Sequence, residues 1–256
     1  MFCGNLASAQ SPVFDLDAGL NASYSGSGQT FASSNLNTTY DFWLGNNNSA
    51  TANDPTFNGV AGADSTAEYF SGDGGDFFTI KANDTFINSL HKENALFSWY
   101  AFMKTPTVHD KFLLETLGTS PTGVGLRFHL GGSNALKFDV GDGVSQITIA
   151  STGSSFISTS TSYLIALSYN ESTGVGLIYL KSDAGVKSTY NFSNTYNAAG
   201  LTPSSSTASL PLNIYGSGPN ILGTGWRLWK TGMTNTAMTE AQLDDLWATY
   251  HSRKLA

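Results

Sequence analysis

A chain of 256 residues in which only 12% are charged, 12 Lys and Arg against 19 Asp and Glu, carries a formal charge of -7 and so excludes phosphate backbones, and with them nucleic acid, as expected partners. The single cysteine, Cys3, rules out an intrachain disulfide, and no apolar run reaches the length of a membrane-spanning helix. A hydrophobic share of 40%, with 16 Phe, 11 Tyr and 5 Trp, is enough to fill a large core and excludes wholesale disorder.

The chain opens with residues 1–12, MFCGNLASAQSP, which lack both the basic and the long apolar region of a signal peptide. They are expected to form a short arm that anchors to a neighbouring subunit, with a single domain following over residues 13–256. Strand signals come next at Val13–Leu16 and Phe77–Lys81, then a helical turn near Thr85–Leu90 with Asp84 as its cap, then strands at Leu96–Met103 and Phe112–Leu117. The clearest pair is Gly125–Leu130 and Ala135–Val140, joined by Gly131-Gly-Ser-Asn134. Strict alternation there places Leu126, Phe128, Leu130, Leu136, Phe138 and Val140 on a buried face and leaves His129 on the polar one. Ser145–Ala150, the pair Tyr163–Tyr169 and Val175–Leu180, Leu212–Tyr215 and Gly225–Lys230 complete the strand set. Many short strands between Gly-rich turns give an all-β, antiparallel sandwich. One helix closes the chain: Thr239 to Gln242 fits a capping box, and Leu243, Leu246, Trp247 and Tyr250 form a stripe expected to dock beside Gly225–Lys230.

The segments LDAGLNASYSGSGQTF (16–31), STAEYFSGDGGDFFTI (65–80), YLIALSYNESTGVGLIYLK (163–181) and GWRLWKTGMTNTAMTEAQLDDLWATY (225–250) together resemble the concanavalin A-like, laminin G-type jelly roll, and more narrowly its stand-alone members among tailed-bacteriophage virion proteins. Gly72 stands where that family often has Phe. The resemblance implies a concanavalin A-like jelly roll with a short C-terminal helix. It also implies a bacteriophage virion structural protein, a capsid decoration or a tail or fibre appendage. Its partners would be other virion subunits, in a homo-oligomer that touches host-surface glycans.

Candidate sites are few. The E-x-D-x-x-E spacing of glucanases of this fold is absent, and the nearest strand acids are Asp139 and Asp142. Gln146-Ile-Thr148 supplies the Gln but not the His of an alginate-lyase strand. His91, His109, His129 and His251 show no zinc spacing, and Cys3 lacks a placed base. The expectation is therefore that the chain is not an enzyme, with a polysaccharide hydrolase or lyase as the alternative. Asp73 and Asp76 in SGDGGDFF could supply carboxylate oxygens to calcium, or simply form a turn. Asn46, Tyr40, Trp43 and Tyr196 are candidate glycan ligands, because amides hydrogen-bond sugars and aromatic rings stack on them, although Asn-rich loops and core aromatics give the same pattern.

Overall fold

The computed structural model describes residues 11–35, 38–107, 111–118, 122–216 and 223–255. Cys3, His109 and nearly all of the expected N-terminal arm lie outside the described residues.

The strands in chain order are β1 Phe14–Asp17, β2 Thr30–Phe31, β3 Phe42–Leu44, β4 Thr56–Asn58, β5 Tyr69–Ser71, β6 Phe78–Ile80, β7 Leu96–Lys104 and β8 Lys111–Glu115. They continue with β9 Val124–Gly131, β10 Ala135–Asp142, β11 Gln146–Ser151, β12 Ser162–Asn170, β13 Val175–Ser182, β14 Lys187–Ser193, β15 Asn213–Ile214 and β16 Arg227–Thr234, and one helix, α1, spans Glu240–Lys254. Among the described residues they build two eight-stranded sheets. The first runs β14-β13-β12-β7-β16-β5-β4, with β1 also on β16; the second runs β11-β10-β9-β8-β15-β6-β3-β2. The ladders between named strands are antiparallel, so the expected sandwich is the observed one.

Alternation explains which side of each strand is apolar. Leu126, Phe128, Leu130, Leu136, Phe138 and Val140 are all fully buried between the sheets, as the hairpin pattern requires. Strand β7 is apolar on both sides for a different reason. Phe97, Trp99, Ala101 and Met103 point into the sandwich, whereas Tyr100 and Phe102 join Leu164, Ala166, Tyr179, Trp229 and Leu243 in a second cluster beneath α1.

The helix begins where the capping box places it. The Thr239 side chain accepts from the Gln242 N–H, and the Gln242 side chain accepts from the Thr239 N–H. Leu243 is buried as expected, but Trp247 is only half-buried. It lies over the β13–β14 turn, donates to the Ser182 carbonyl at 3.2 Å and sits beneath the Lys181 ammonium, because the helix packs mainly on β13, β12 and β7, whereas Tyr250 meets β16 by lying under the Lys230 ammonium. The short turn near Thr85–Leu90 is a 3-10 helix, Ile87–Ser89, whose first N–H is taken by Asp84 Oδ1 at 2.9 Å.

Gly72, where the resembled family often has Phe, packs against the indole of Trp226. A Cβ at Gly72 would lie 2.2 Å from that ring, so the aromatic volume arrives from the start of β16 instead.

Candidate functional site: a polar row across one sheet face

Helix α1 covers the outer face of the first sheet, and the outer face of the second is polar. There the ladder registers align one residue per strand in an unbroken line: Thr30, Trp43, Thr79, Asn213, Glu115, Arg127, Asp139 and Thr148. At about 4.8 Å per strand the row spans roughly 34 Å. Every member is polar or aromatic because its chain neighbours take the core side: Phe31, Phe42, Phe78, Ile214, Leu114, Leu126, Phe138 and Ile149. The middle of the row is buried, whereas Trp43 at one end is half-buried and Thr148 at the other is exposed.

The best-knit part lies on β9, β10 and β11. Asp139 Oδ2 accepts from Arg127 Nη2 at 3.0 Å, His129 Nε2 at 2.9 Å and Gln146 Nε2 at 3.0 Å, while Oδ1 accepts from Thr148 Oγ1 at 2.7 Å. The Arg127 guanidinium lies 4.5 Å over the Phe112 ring, and the His129 ring meets the same Phe edge-on. Burial alone would raise the Asp139 carboxyl, but hydrogen bonds from His129, Thr148 and Arg127 together hold it down at about 2. At the other end the Lys81 ammonium sits 4.3 Å over the Trp43 ring, and Thr79 donates to Asn213 at 2.8 Å.

A carboxyl with a lowered folded-state pKa contributes stability above its unfolded value and loses it as pH falls through its folded value. Asp139 is thus expected to contribute on the order of 2 kcal/mol near neutral pH, lost between about pH 4 and pH 2. Thermal melts of the wild type and Asp139→Asn over that range check this. The variant should melt lower at pH 7 and show a shallower acid slope; identical slopes would remove Asp139 from the acid response.

The residues singled out from sequence do not converge. Trp43 belongs to the row and Asn46 lies in the exposed loop after it. Tyr40 is buried, and its hydroxyl donates to Asp84 Oδ2 at 2.5 Å, which with burial holds the phenol protonated far above its ordinary range. Tyr196 is fully buried in the core, donates to the Leu90 carbonyl at 2.9 Å and packs on Tyr169, so no ring face is open to a sugar.

Asp73 and Asp76 form a turn. Asp76 Oδ2 accepts the Asp73 N–H at 2.9 Å, and burial, with Asp73 and Asp54 nearby, raises the Asp76 carboxyl to about 6. Among the described residues no group of three His, Cys, Asp or Glu suited to a metal is found.

No family model and no curated protein sequence matches the chain. Solved structures do. A Trypanosoma rangeli sialidase in complex with the inhibitor DANA matches with a TM-score of 0.54 and 13% identity over 92% of this chain and 32% of its own. The binding domain of botulinum neurotoxin DC, in complex with rat synaptotagmin II, matches with a TM-score of 0.59 and 10% identity over 94% of this chain and 52% of its own. An arabinofuranosidase complexed with arabinofuranosyl-alpha-1,2-xylobiose matches with a TM-score of 0.56 and 11% identity over 89% of this chain and 52% of its own. The chain therefore spans between about a third and about half of these proteins, and at such identities the likeness is one of fold.

These matches correct one expectation. The absence of a one-strand carboxylate motif pointed away from an enzyme, but a sialidase and an arabinofuranosidase share the fold, so that inference does not stand. The physical reason is that a site can be assembled from different strands by register, as the Glu115–Arg127–Asp139 line is assembled here, without leaving a motif on any one of them.

Proposed function

We propose that this chain is a glycan-recognition domain that takes an extended saccharide along the polar row, in the setting of a bacteriophage virion. The observation that carries the reading is the register itself: eight positions in line on one face of eight neighbouring strands, all polar or aromatic, with half-buried Trp43 toward one end and exposed Thr148 at the other. The fold neighbours support it, because they include a sialidase holding an inhibitor and an arabinofuranosidase holding arabinofuranosyl-xylobiose. The virion setting, as a capsid decoration or a tail or fibre appendage with other virion subunits and copies of itself as partners, rests on the four sequence segments quoted above. A second reading, a carbohydrate-active enzyme, is favoured by the two glycosidases among the neighbours.

A glycan array followed by calorimetry and a reducing-end assay on the purified chain tests these readings. Binding to an oligosaccharide is expected, with Trp43→Ala weakening it about tenfold through loss of one stacking face and leaving the melting temperature nearly unchanged. Release of reducing ends would establish the enzyme reading. An array without hits and no depolymerisation would sink both.

A further inference from the structure

We propose that the free edge of β14 is a self-association surface, on which a second copy of this chain pairs antiparallel about a two-fold axis and joins the two first sheets into one; this stands apart from the glycan reading above. The sheets end at β14 and β4 in the first and at β11 and β2 in the second. A free edge presents unpaired N–H and C=O groups, and proteins blunt it with short strands, bulges, proline or charge. Three of these ends are blunted: β2 and β4 are two and three residues long, and β11 meets β10 with a register shift between Phe138 and Asp139. β14 is not. All seven of its residues pair with β13 without a shift, and it has no proline.

The flanking hydrogen bonds show which backbone groups face the open side. The Asn194 N–H donates to the Gly174 carbonyl and the Ser182 N–H to the Val186 carbonyl, both at 2.9 Å, and both pairs continue the β13–β14 register. Bonded pairs alternate along an antiparallel ladder, so Ser188, Tyr190 and Phe192 turn their backbone groups to β13. Thr189 and Asn191 turn theirs outward, where no backbone among the described residues meets them.

Charge points to a second copy as the occupant. The chain carries 19 Asp and Glu, yet none lies on β14, so two copies approach here without the repulsion expected elsewhere on an acidic surface. Its one charge, Lys187, is already paired with Glu240 at 2.5 Å and Asp244 at 2.9 Å. A two-fold axis through Tyr190 sets Asn191 across from Thr189 of the second copy, so outward N–H groups meet outward carbonyls and the two half-buried Tyr190 rings adjoin. β11 closes the second sheet on the same flank, where Asn194 donates to the Ile149 carbonyl at 3.4 Å. Seven residues span about 24 Å and the sheets lie about 10 Å apart, a contact at the small end of specific interfaces, so the dimer is a weak, concentration-dependent one.

The test is sedimentation of the full chain from about 1 to about 200 µM, a range that brackets a micromolar dissociation constant, with amide hydrogen exchange at both ends of it. Expected are a mass that doubles across the range and slower exchange at Thr189 and Asn191 when concentrated. Thr189→Pro removes an outward donor and leaves the β13 ladder intact, so it should keep the melting temperature and weaken the dimer at least about tenfold. Should that variant fail to fold, Asn191→Lys, at an exposed position, places like charges across the axis and should do the same. A monomer at every concentration, a dimer undiminished in the variants, or exchange in β14 that ignores concentration would overturn the proposal.

Discussion

Replacing Lys254 by Met is expected to destabilise the protein by about 3–5 kcal/mol, which in a domain of this size lowers the melting temperature by roughly 10 °C. Lys254 lies in the last turn of α1 and is fully buried. Its ammonium contacts Asp17 Oδ1 at 2.6 Å and Asp64 Oδ1 at 2.5 Å. Asp17 and Asp15 in turn flank the buried Lys230, at 3.5 and 2.5 Å, and the Tyr100 hydroxyl donates to Asp15. Burial alone would push the Lys230 ammonium down, but the two aspartates raise it, so Lys230 stays charged. Removing one cation leaves Asp17, itself 1% exposed, with part of its charge unmet, and the cost comes from that stranded carboxylate. The double variant Lys254→Met, Asp17→Asn should recover part of the loss. Chemical denaturation of the four proteins gives the coupling; a single-variant loss under about 1 kcal/mol would mean that apolar contacts alone hold the helix end.

The second large effect is steric. Gly72→Ala is expected to cost about 3 kcal/mol, because its Cβ would sit 2.2 Å from the Trp226 indole, and Trp226 is enclosed by Tyr215 at 4.5 Å and Phe78 at 6.2 Å between ring centroids. The loop cannot simply withdraw, since the Gly72 carbonyl accepts the Gly225 N–H at 3.3 Å and ties it to the start of β16. Trp226→Leu alone should also cost about 3 kcal/mol through the cavity it opens. The pair together should cost at least about 1 kcal/mol less than the sum, because the added methyl enters space the smaller side chain vacates. Strict additivity in denaturant unfolding would show that the two positions do not compete for one volume.

The long elements were legible in the chain because their patterns are local. Alternation over Leu126–Val140 fixed a hairpin and its buried face, and the Thr239–Gln242 box fixed where α1 begins. Strands β2, β3, β4 and β5 are two or three residues long, too short for any period to register, and β14 is a polar edge strand rich in Ser, Thr and Asn. Trp43 was singled out for its ring and Gln146 for its place on a strand, but neither suggested the other. The row joins Trp43 to Thr148, and the ion network joins Asp17 to Lys254, across separations no sequence window spans. By itself the sequence determined periodicity, caps and the sandwich class, since those follow from each residue's chain neighbours. Only the tertiary structure decided that Tyr196 is core, that Asp76 closes a turn and that Arg127, His129, Gln146 and Thr148 share one carboxylate, because strand register and sheet order set which distant side chains face the same side.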